Sequence, residues 1–259
     1  VLEIISKFMF IEKKKDDDTG KVKETVIFPR FHQLDVIRKL LAAVVETGTS
    51  QNYLLQHSAG SGKTNEIAWL AHRLSSLHDA KNKQIYDNIV IVTDRVVVDR
   101  QLQDAVMGIE HKSGLVRVMD DKCTSSDLKD SLSGNTKIIA TTIQKFPYIL
   151  ESVKGLNKKT FAVIIDEAHS STAGKNMQAV TKALGAGEQE AYADAEDMIA
   201  DEVRRIGKQR NVSMFAFTAT PKPTTLQLFG RLNTKGQREA FHIYSMKQAI
   251  EEGFIIDVL

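Results

Sequence analysis

A chain of 259 residues, 42% hydrophobic and 26% charged, has the make-up of a soluble globular protein and the length to bury a sizeable core. Its net charge of +2 and pI of about 8.5 are too mild to argue for nucleic-acid binding by themselves. The single cysteine, Cys123, excludes an internal disulfide framework and fits a reducing, cytoplasmic setting; no apolar run approaches the ~20 residues of a membrane span.

Taken in chain order, residues 1–28 read as an apolar segment, VLEIISKFMF, a charged turn, EKKKDDDTGK, and a second apolar run, VIF. The turn predicts a solvated hairpin tip. From Arg30 the pattern becomes helical, with Leu34, Ile37, Leu40, Leu41 and Val44 at helix spacing. Short apolar runs then alternate with amphipathic stretches. The runs are 52–57, 88–93, 115–119, 137–142, 161–166 and 212–218. They are near-continuous in branched and aromatic residues, as strands buried on both faces should be. Helices are predicted over Thr64–Leu77, Val96–Met107, Ser126–Leu132, Lys175–Leu184 and Ala191–Lys208. The tail, FHIYSMKQAIEEGFII, adds a strand, a short helix and a last apolar run. Such alternation predicts an α/β fold: a parallel sheet with helices on both faces, and ligands beyond the carboxyl ends of the strands.

The stretch AGSGKT, Ala59 to Thr64, lies between an apolar run and an amphipathic helix, the context a phosphate-binding loop requires. Gly60 and Gly62 free the backbone to curl its N–H groups toward phosphate oxygens, and the helix N-terminus adds partial positive charge there. Ala59, Gly60, Ser61, Gly62, Lys63 and Thr64 are therefore ATP-binding candidates. Lys63 would pair with the β and γ phosphates, and Thr64 would offer a hydroxyl to Mg²⁺. His57 stands where the first glycine of G-x-x-x-x-G-K-[ST] belongs. That loses a turn residue but no phosphate ligand. The histidine itself either packs or hydrogen-bonds at the strand end, or acts directly.

About a hundred residues on, FAVIIDEAH runs from Phe161 to His169 as a hydrophobic strand ending in two carboxylates. Asp166 at the strand tip can hold the same Mg²⁺, directly or through water. Glu167 is placed to orient or deprotonate the attacking water. His169 and the SSTAGK after it read either as a loop sensing the nucleotide or as an N-capping run before a helix. The two motifs together predict an ATPase using ATP and Mg²⁺.

With TAT, Thr218, Ala219 and Thr220, these motifs resemble motifs I, II and III of superfamily 2 helicases and translocases. The phrases QHSAGSGKT, IVTDRVVVDRQL, ATTIQKF, IIDEAHSSTAGK and FTATPKPTT, in this order, resemble the motor (R) subunit of type I restriction–modification enzymes, over essentially the whole chain. The resemblance implies that RFHQ, Arg30 to Gln33, is the adenine-recognition element. A Gln33 amide can pair with adenine, and Phe31 can stack on it; by pattern alone Gln33 is a surface residue at a helix start. It also implies that Thr93, Asp94 and Arg95 form motif Ia, that Thr141, Thr142 and Gln144 face DNA, and that Thr218 and Thr220 link ATP state to DNA grip. For each hydroxyl, capping of a strand end is the alternative.

The resemblance further implies a motor domain over 30–245, an N-terminal extension over 1–29, and a connection toward a second RecA-like domain from 246. The second domain would supply arginine fingers. The string Glu12-Lys13-Lys14 matches a nuclease E-x-K by letters only. The implied partners are double-stranded DNA and the methyltransferase and specificity subunits of a restriction complex. The implied activity is ATP-driven translocation of DNA with remote cleavage. Other superfamily 2 motors (a type III restriction subunit or a helicase) and a nucleotide-gated DNA-binding module without turnover are the alternatives.

Overall fold

The computed structural model describes residues 1–15, 21–93, 100–109, 114–119, 123–166 and 195–255. Seven parallel strands form the main sheet: β3 (Asn52–His57), β4 (Asn88–Thr93), β5 (Val116–Val118), β6 (Ile138–Thr142), β7 (Phe161–Asp166), β8 (Val212–Thr218) and β11 (His242–Tyr244). Their spatial order is β11-β3-β8-β7-β4-β6-β5. The six runs read from the sequence are β3 to β8, and the tail supplies β11.

Alternation along each strand divides the core in two. Tyr53, Leu55, Ile89, Ile91, Ala162, Ile164, Phe215 and Phe217 face one side. Leu54, Val90, Val92, Val163, Ile165, Met214 and Ala216 face the other. Both sets are buried, which is why these strands carry no polar alternation. On the first side pack α2 (Phe31–Thr47), α3 (Lys63–Ser75) and α4 (Arg100–Gly108). On the second pack α5 (Ser125–Ser133), α6 (Phe146–Gly155) and α7 (Ala195–Ile206). Thus the expected parallel sheet with helices on both faces is the observed fold.

The start of the chain differs in detail from the expectation. Leu2–Lys7 is a helix, α1, before the antiparallel hairpin of β1 (Phe10–Lys15) and β2 (Val22–Ile27). Phe8 and Phe10 then enter the first core and set their rings against Trp69 of α3, at 6.0 and 6.1 Å between centroids. The periodicity of six residues was too short to register as helical. Two helices also went unread, α6 and α8 (Pro223–Phe229). Each has proline in its first turn, the position where a missing N–H costs nothing. A small hairpin, β9 (Arg231–Leu232) with β10 (Arg238–Glu239), precedes β11, and α9 (Met246–Glu251) follows it. The helix expected at Lys175–Leu184 lies outside the described residues, as do residues 94–99 ahead of α4.

Candidate nucleotide site

The carboxyl edge of the sheet gathers the predicted site. Register places Thr93 of β4 beside both Asp166 of β7 and Thr142 of β6. Thr218 of β8 pairs with Gln56 of β3, one residue before the strand's end. Residues 58–62 connect β3 to α3 at this edge, so loop, acidic strand tip and threonines share one end of the fold.

Within the loop, Gly60 has φ +77° and Gly62 φ +86°, left-handed values that a side chain strains. Asn65 and Glu66 donate their N–H groups to the Gly62 carbonyl at 3.0 and 3.3 Å, starting the helix. The Lys63 ammonium lies 3.3 Å from the Ser58 carbonyl and 3.4 Å from that of His57, folded back across the loop and only 7% exposed. The Ser58 and Ser61 hydroxyls are buried without a hydrogen-bond partner. Orphaned donors, a lysine and two positive-φ glycines at a helix start together fit a phosphate chain. Thr64, half-buried in the first turn of α3, and Asp166, half-buried at the tip of β7, offer the hard oxygen ligands that suit Mg²⁺.

The start of α2 braces the loop. The Gln33 amide nitrogen donates to the Ser61 carbonyl at 3.1 Å and to that of Gly62 at 3.3 Å. Its oxygen accepts from the Arg30 N–H at 2.8 Å. Both ends of the amide are thus engaged by protein and the residue is buried, so pairing with adenine requires it to exchange these bonds. Phe31 next to it is 82% exposed, open for a base to stack upon. A methyl at Gly62 would sit 2.5 Å from the Gln33 amide nitrogen. Gly62→Ala is therefore expected to lower stability by about 1–2 kcal/mol through backbone strain, and to push Gln33 off the loop. Chemical denaturation beside nucleotide titration checks this; unchanged values in both would contradict the loop geometry.

The remaining predicted residues divide. Thr93, Thr141 and Thr142 are buried, and the Thr141 hydroxyl has no hydrogen-bond partner. Gln144, in a short 3-10 turn over Ile143–Lys145, is half-buried. The three threonines therefore reach a DNA phosphate only if the edge opens. The Thr218 hydroxyl accepts from the Thr220 N–H at 3.3 Å, a local turn that caps the end of β8; Ala219 lies inside it. Asp94, Arg95, Glu167 and His169 lie outside the described residues.

A group of side chains not read from the sequence lies directly behind the loop. His57 Nδ1 is 2.8 Å from Glu66 Oε2, and its Nε2 is 2.8 Å from His242 Nδ1. His242 Nε2 is 3.0 Å from Asp35 Oδ2. His32 Nε2 lies 3.0 Å from the Ser61 carbonyl, and its ring stacks on Tyr244 at 3.7 Å. Burial pushes the His32 pKa down against the pull of that carbonyl and of Glu66, so the ring is neutral and Nε2–H donates. Of the two sequence readings of His57, the strand-end hydrogen bond is the one seen. A glutamate three residues after the loop lysine, on the buried face of α3, was the available signal.

A cavity of about 490 Å³ opens at the opposite, amino edge of the sheet, lined by Asn52, Val212, Arg204, Arg231 and Arg238 among others. It touches none of the loop, and a phosphate cradle built from backbone N–H groups is shallow, so its size does not make it the nucleotide site. Among the described residues no group of three or more His, Cys, Asp or Glu is placed to hold a metal ion. No helix among them is long and apolar enough to cross a membrane.

Comparison with known proteins agrees with this geometry. The SWI2/SNF2 ATPase family matches residues 32–259. A type I restriction enzyme HindI endonuclease subunit from Haemophilus influenzae is 26% identical over 271 aligned residues, covering 100% of this chain and 23% of the relative. A putative type I restriction enzyme MjaVIIIP endonuclease subunit from Methanocaldococcus jannaschii is 28% identical over 196, covering 68% of the chain and 18% of the relative. The chain therefore spans about a fifth of the length of these relatives. Among solved structures, the ATP-dependent type ISP restriction-modification enzyme LlaBIII bound to DNA superposes with a TM-score of 0.54 at 17% identity, over 93% of this chain and 17% of that one. The Hef helicase domain of Pyrococcus furiosus superposes at 0.51 with 18% identity, over 89% and 41%. At these identities the superpositions establish the helicase-type α/β fold. Sequence motifs, fold and family match converge: the chain belongs to the SWI2/SNF2 ATPase family.

Proposed function

We propose that this chain is the ATP-binding motor domain of a type I restriction R subunit, driving translocation of double-stranded DNA and remote cleavage in a complex with methyltransferase and specificity subunits. The observation that carries the reading is the loop of residues 58–62, with two left-handed glycines and a folded-back lysine, at the same sheet edge as Asp166. The restriction relatives extend the reading from nucleotide to DNA.

In this account the backbone N–H groups around Gly60 and Gly62 and the Ser58 and Ser61 hydroxyls receive the phosphates. Lys63 swings from its carbonyl perch onto the terminal phosphate oxygens. Thr64 and Asp166 hold Mg²⁺, which neutralises charge on the phosphates when bound. Phe31 supports the base, while Gln33 either turns to it or holds the loop. Glu167 takes a proton from the attacking water, and His169, Thr218, Ala219 and Thr220 transmit the nucleotide state. Thr93, Arg95, Thr141, Thr142 and Gln144 meet the DNA backbone once the edge opens. Residues 30–245 form the motor unit, and the segment from 246 leads toward a second domain that completes the cleft.

The test is nucleotide binding by the chain, beside hydrolysis with and without long double-stranded DNA. Lys63→Ala is expected to weaken ATP binding by roughly 10- to 150-fold, the value of a charge-assisted hydrogen bond. Unchanged affinity would sink the assignment of the loop. Binding without turnover on DNA, in the complete protein as well, would favour a nucleotide-gated module over a motor.

A further inference from the structure

The strand β11 does more than extend the sheet. It runs parallel to β3, with His242 opposite Leu55 and Tyr244 opposite His57. From there it touches the nucleotide loop at three levels. The Tyr244 carbonyl accepts the N–H of Ser58, the first loop residue, at 3.0 Å. His242 meets His57, the last strand residue, at 2.8 Å. The Tyr244 ring lies flat on His32, which donates to the Ser61 carbonyl in the middle of the loop. The chain beyond β11 then folds back over the same place. Tyr244 donates its hydroxyl to Glu252 at 2.7 Å, Phe254 lies under the Arg30 guanidinium at 4.1 Å, and a side chain at Gly60 would touch Ile255.

The contacts among the charged groups have a fixed proton count. Asp35, His242, His57 and Glu66 are linked by three contacts of 3.0, 2.8 and 2.8 Å. Three hydrogen bonds require three protons. Two neutral imidazoles bring one N–H each, and two ionised carboxylates bring none. The line is complete only when it holds one proton more, shared among its members. With that proton missing, two lone pairs face each other somewhere along the line. Two carboxylates, Asp35 and Glu66, face the histidines and favour that proton, whereas burial pulls the His242 pKa down and Lys39, against Asp35 at 2.6 Å on the outer side, opposes it as well. His32 approaches Glu66 at 3.5 Å, and Glu252 lies beyond Tyr244. Such a line resists stretching at its inner end, because parting His57 from Glu66 leaves two fully buried polar groups without that bond.

We propose that Asp35, His242, His57 and Glu66 form a positioning relay through which β11 and the chain after it set the conformation of the nucleotide loop, so that nucleotide affinity reports where that segment lies. The inference rests on the nucleotide reading of the loop and adds to it the groups that regulate it. None of the four is among the residues assigned to the phosphates, the base or the ion. They hold the two ends of the loop, the last residue of β3 and the first turn of α3, at a set separation, and tie both to the segment leaving the domain.

The experiment compares wild type, His242→Phe, His242→Gln and Asp35→Asn in this chain, with two readouts. The first is affinity for a fluorescent ATP analogue with Mg²⁺. The second is the set of histidine ring N–H signals by NMR, where strongly hydrogen-bonded protons lie far downfield. His242→Phe keeps the ring volume and breaks the line; affinity should fall about tenfold, the low end of the value of a charge-assisted bond, and the downfield signals of the two contacts made by His242 should vanish while that of His57 with Glu66 remains. His242→Gln spans a similar distance with one donor and one acceptor and should recover affinity to within about threefold. Asp35→Asn alters only the outer, half-exposed end and keeps the proposal testable if the core variant folds poorly; it should lose affinity by about three- to fivefold. Wild-type binding in both His242→Phe and Asp35→Asn, with melting curves intact, would overturn the relay. Equal losses in the Phe and Gln variants would overturn it too, reducing it to packing. Absence of nucleotide binding by the wild type would instead bring down the reading of the loop on which it rests.

Discussion

Glu167→Gln is expected to leave ATP binding within about threefold of wild type and to lower DNA-stimulated hydrolysis by about 10²–10⁴, the usual worth of a positioned general base. The substitution is isosteric and removes only the carboxylate's basicity. Glu167 directly follows Asp166, the last residue of β7, whose register beside Thr93 fixes the strand tip at the sheet's carboxyl edge. Glutamine there can still accept a hydrogen bond from water but cannot take its proton. The measurement is steady-state phosphate release by the complete protein on long double-stranded DNA, with nucleotide titration on the same sample. Hydrolysis surviving in the variant would move the base elsewhere. Lost binding would mean that Glu167 holds the nucleotide or its ion, and that the division of labour between Asp166 and Glu167 is reversed.

Trp69→Ala should cost about 3–5 kcal/mol, the range for truncating a fully buried aromatic. Trp69 is 0% exposed on α3. Its indole N–H donates to the Phe8 carbonyl at 2.7 Å, and its ring meets those of Phe8 and Phe10. Removing it leaves a cavity, an unpaired buried carbonyl and a hairpin without its anchor. The melting temperature should fall on the order of 10 °C, at about 2–4 °C per kcal/mol for a domain of this size. Limited proteolysis should then cut the first thirty residues ahead of the sheet. A loss below about 1 kcal/mol would mean that this segment is not held by α3. The expectation has a functional side. The same helix begins at Lys63, so a loosened α3 should also weaken nucleotide binding.

Both predictions trace to features of different visibility. The strands from 52–57 to 212–218 were legible because each is buried on both faces, and continuous apolar runs of that length stand out against amphipathic neighbours. The loop and the acidic strand tip were legible because phosphate and metal chemistry demands glycine, lysine, hydroxyl and carboxylate in one local order. α6 and α8 were not, since short helices against a sheet show few periods. Gln33 was legible as a residue, but the hold of its amide on two loop carbonyls was not.

What the amino-acid sequence by itself determined about this protein is therefore the layered α/β fold and the glycine–lysine loop proposed to bind nucleotide, since both depend on neighbours along the chain. The tertiary structure alone decided the rest. His57 and His242 are 185 residues apart, and Asp35 and His242 are 207 apart. No local pattern marks such pairs, because each is brought together by strand order: β11, near the end of the chain, adds beside β3, near its start. Likewise Thr93, Thr142 and Asp166 become neighbours only when β4 is inserted between β6 and β7. Propensity and motif chemistry act over a few residues, whereas register and crossover place side chains across the whole chain. The groups proposed to tune the loop belong to that second kind.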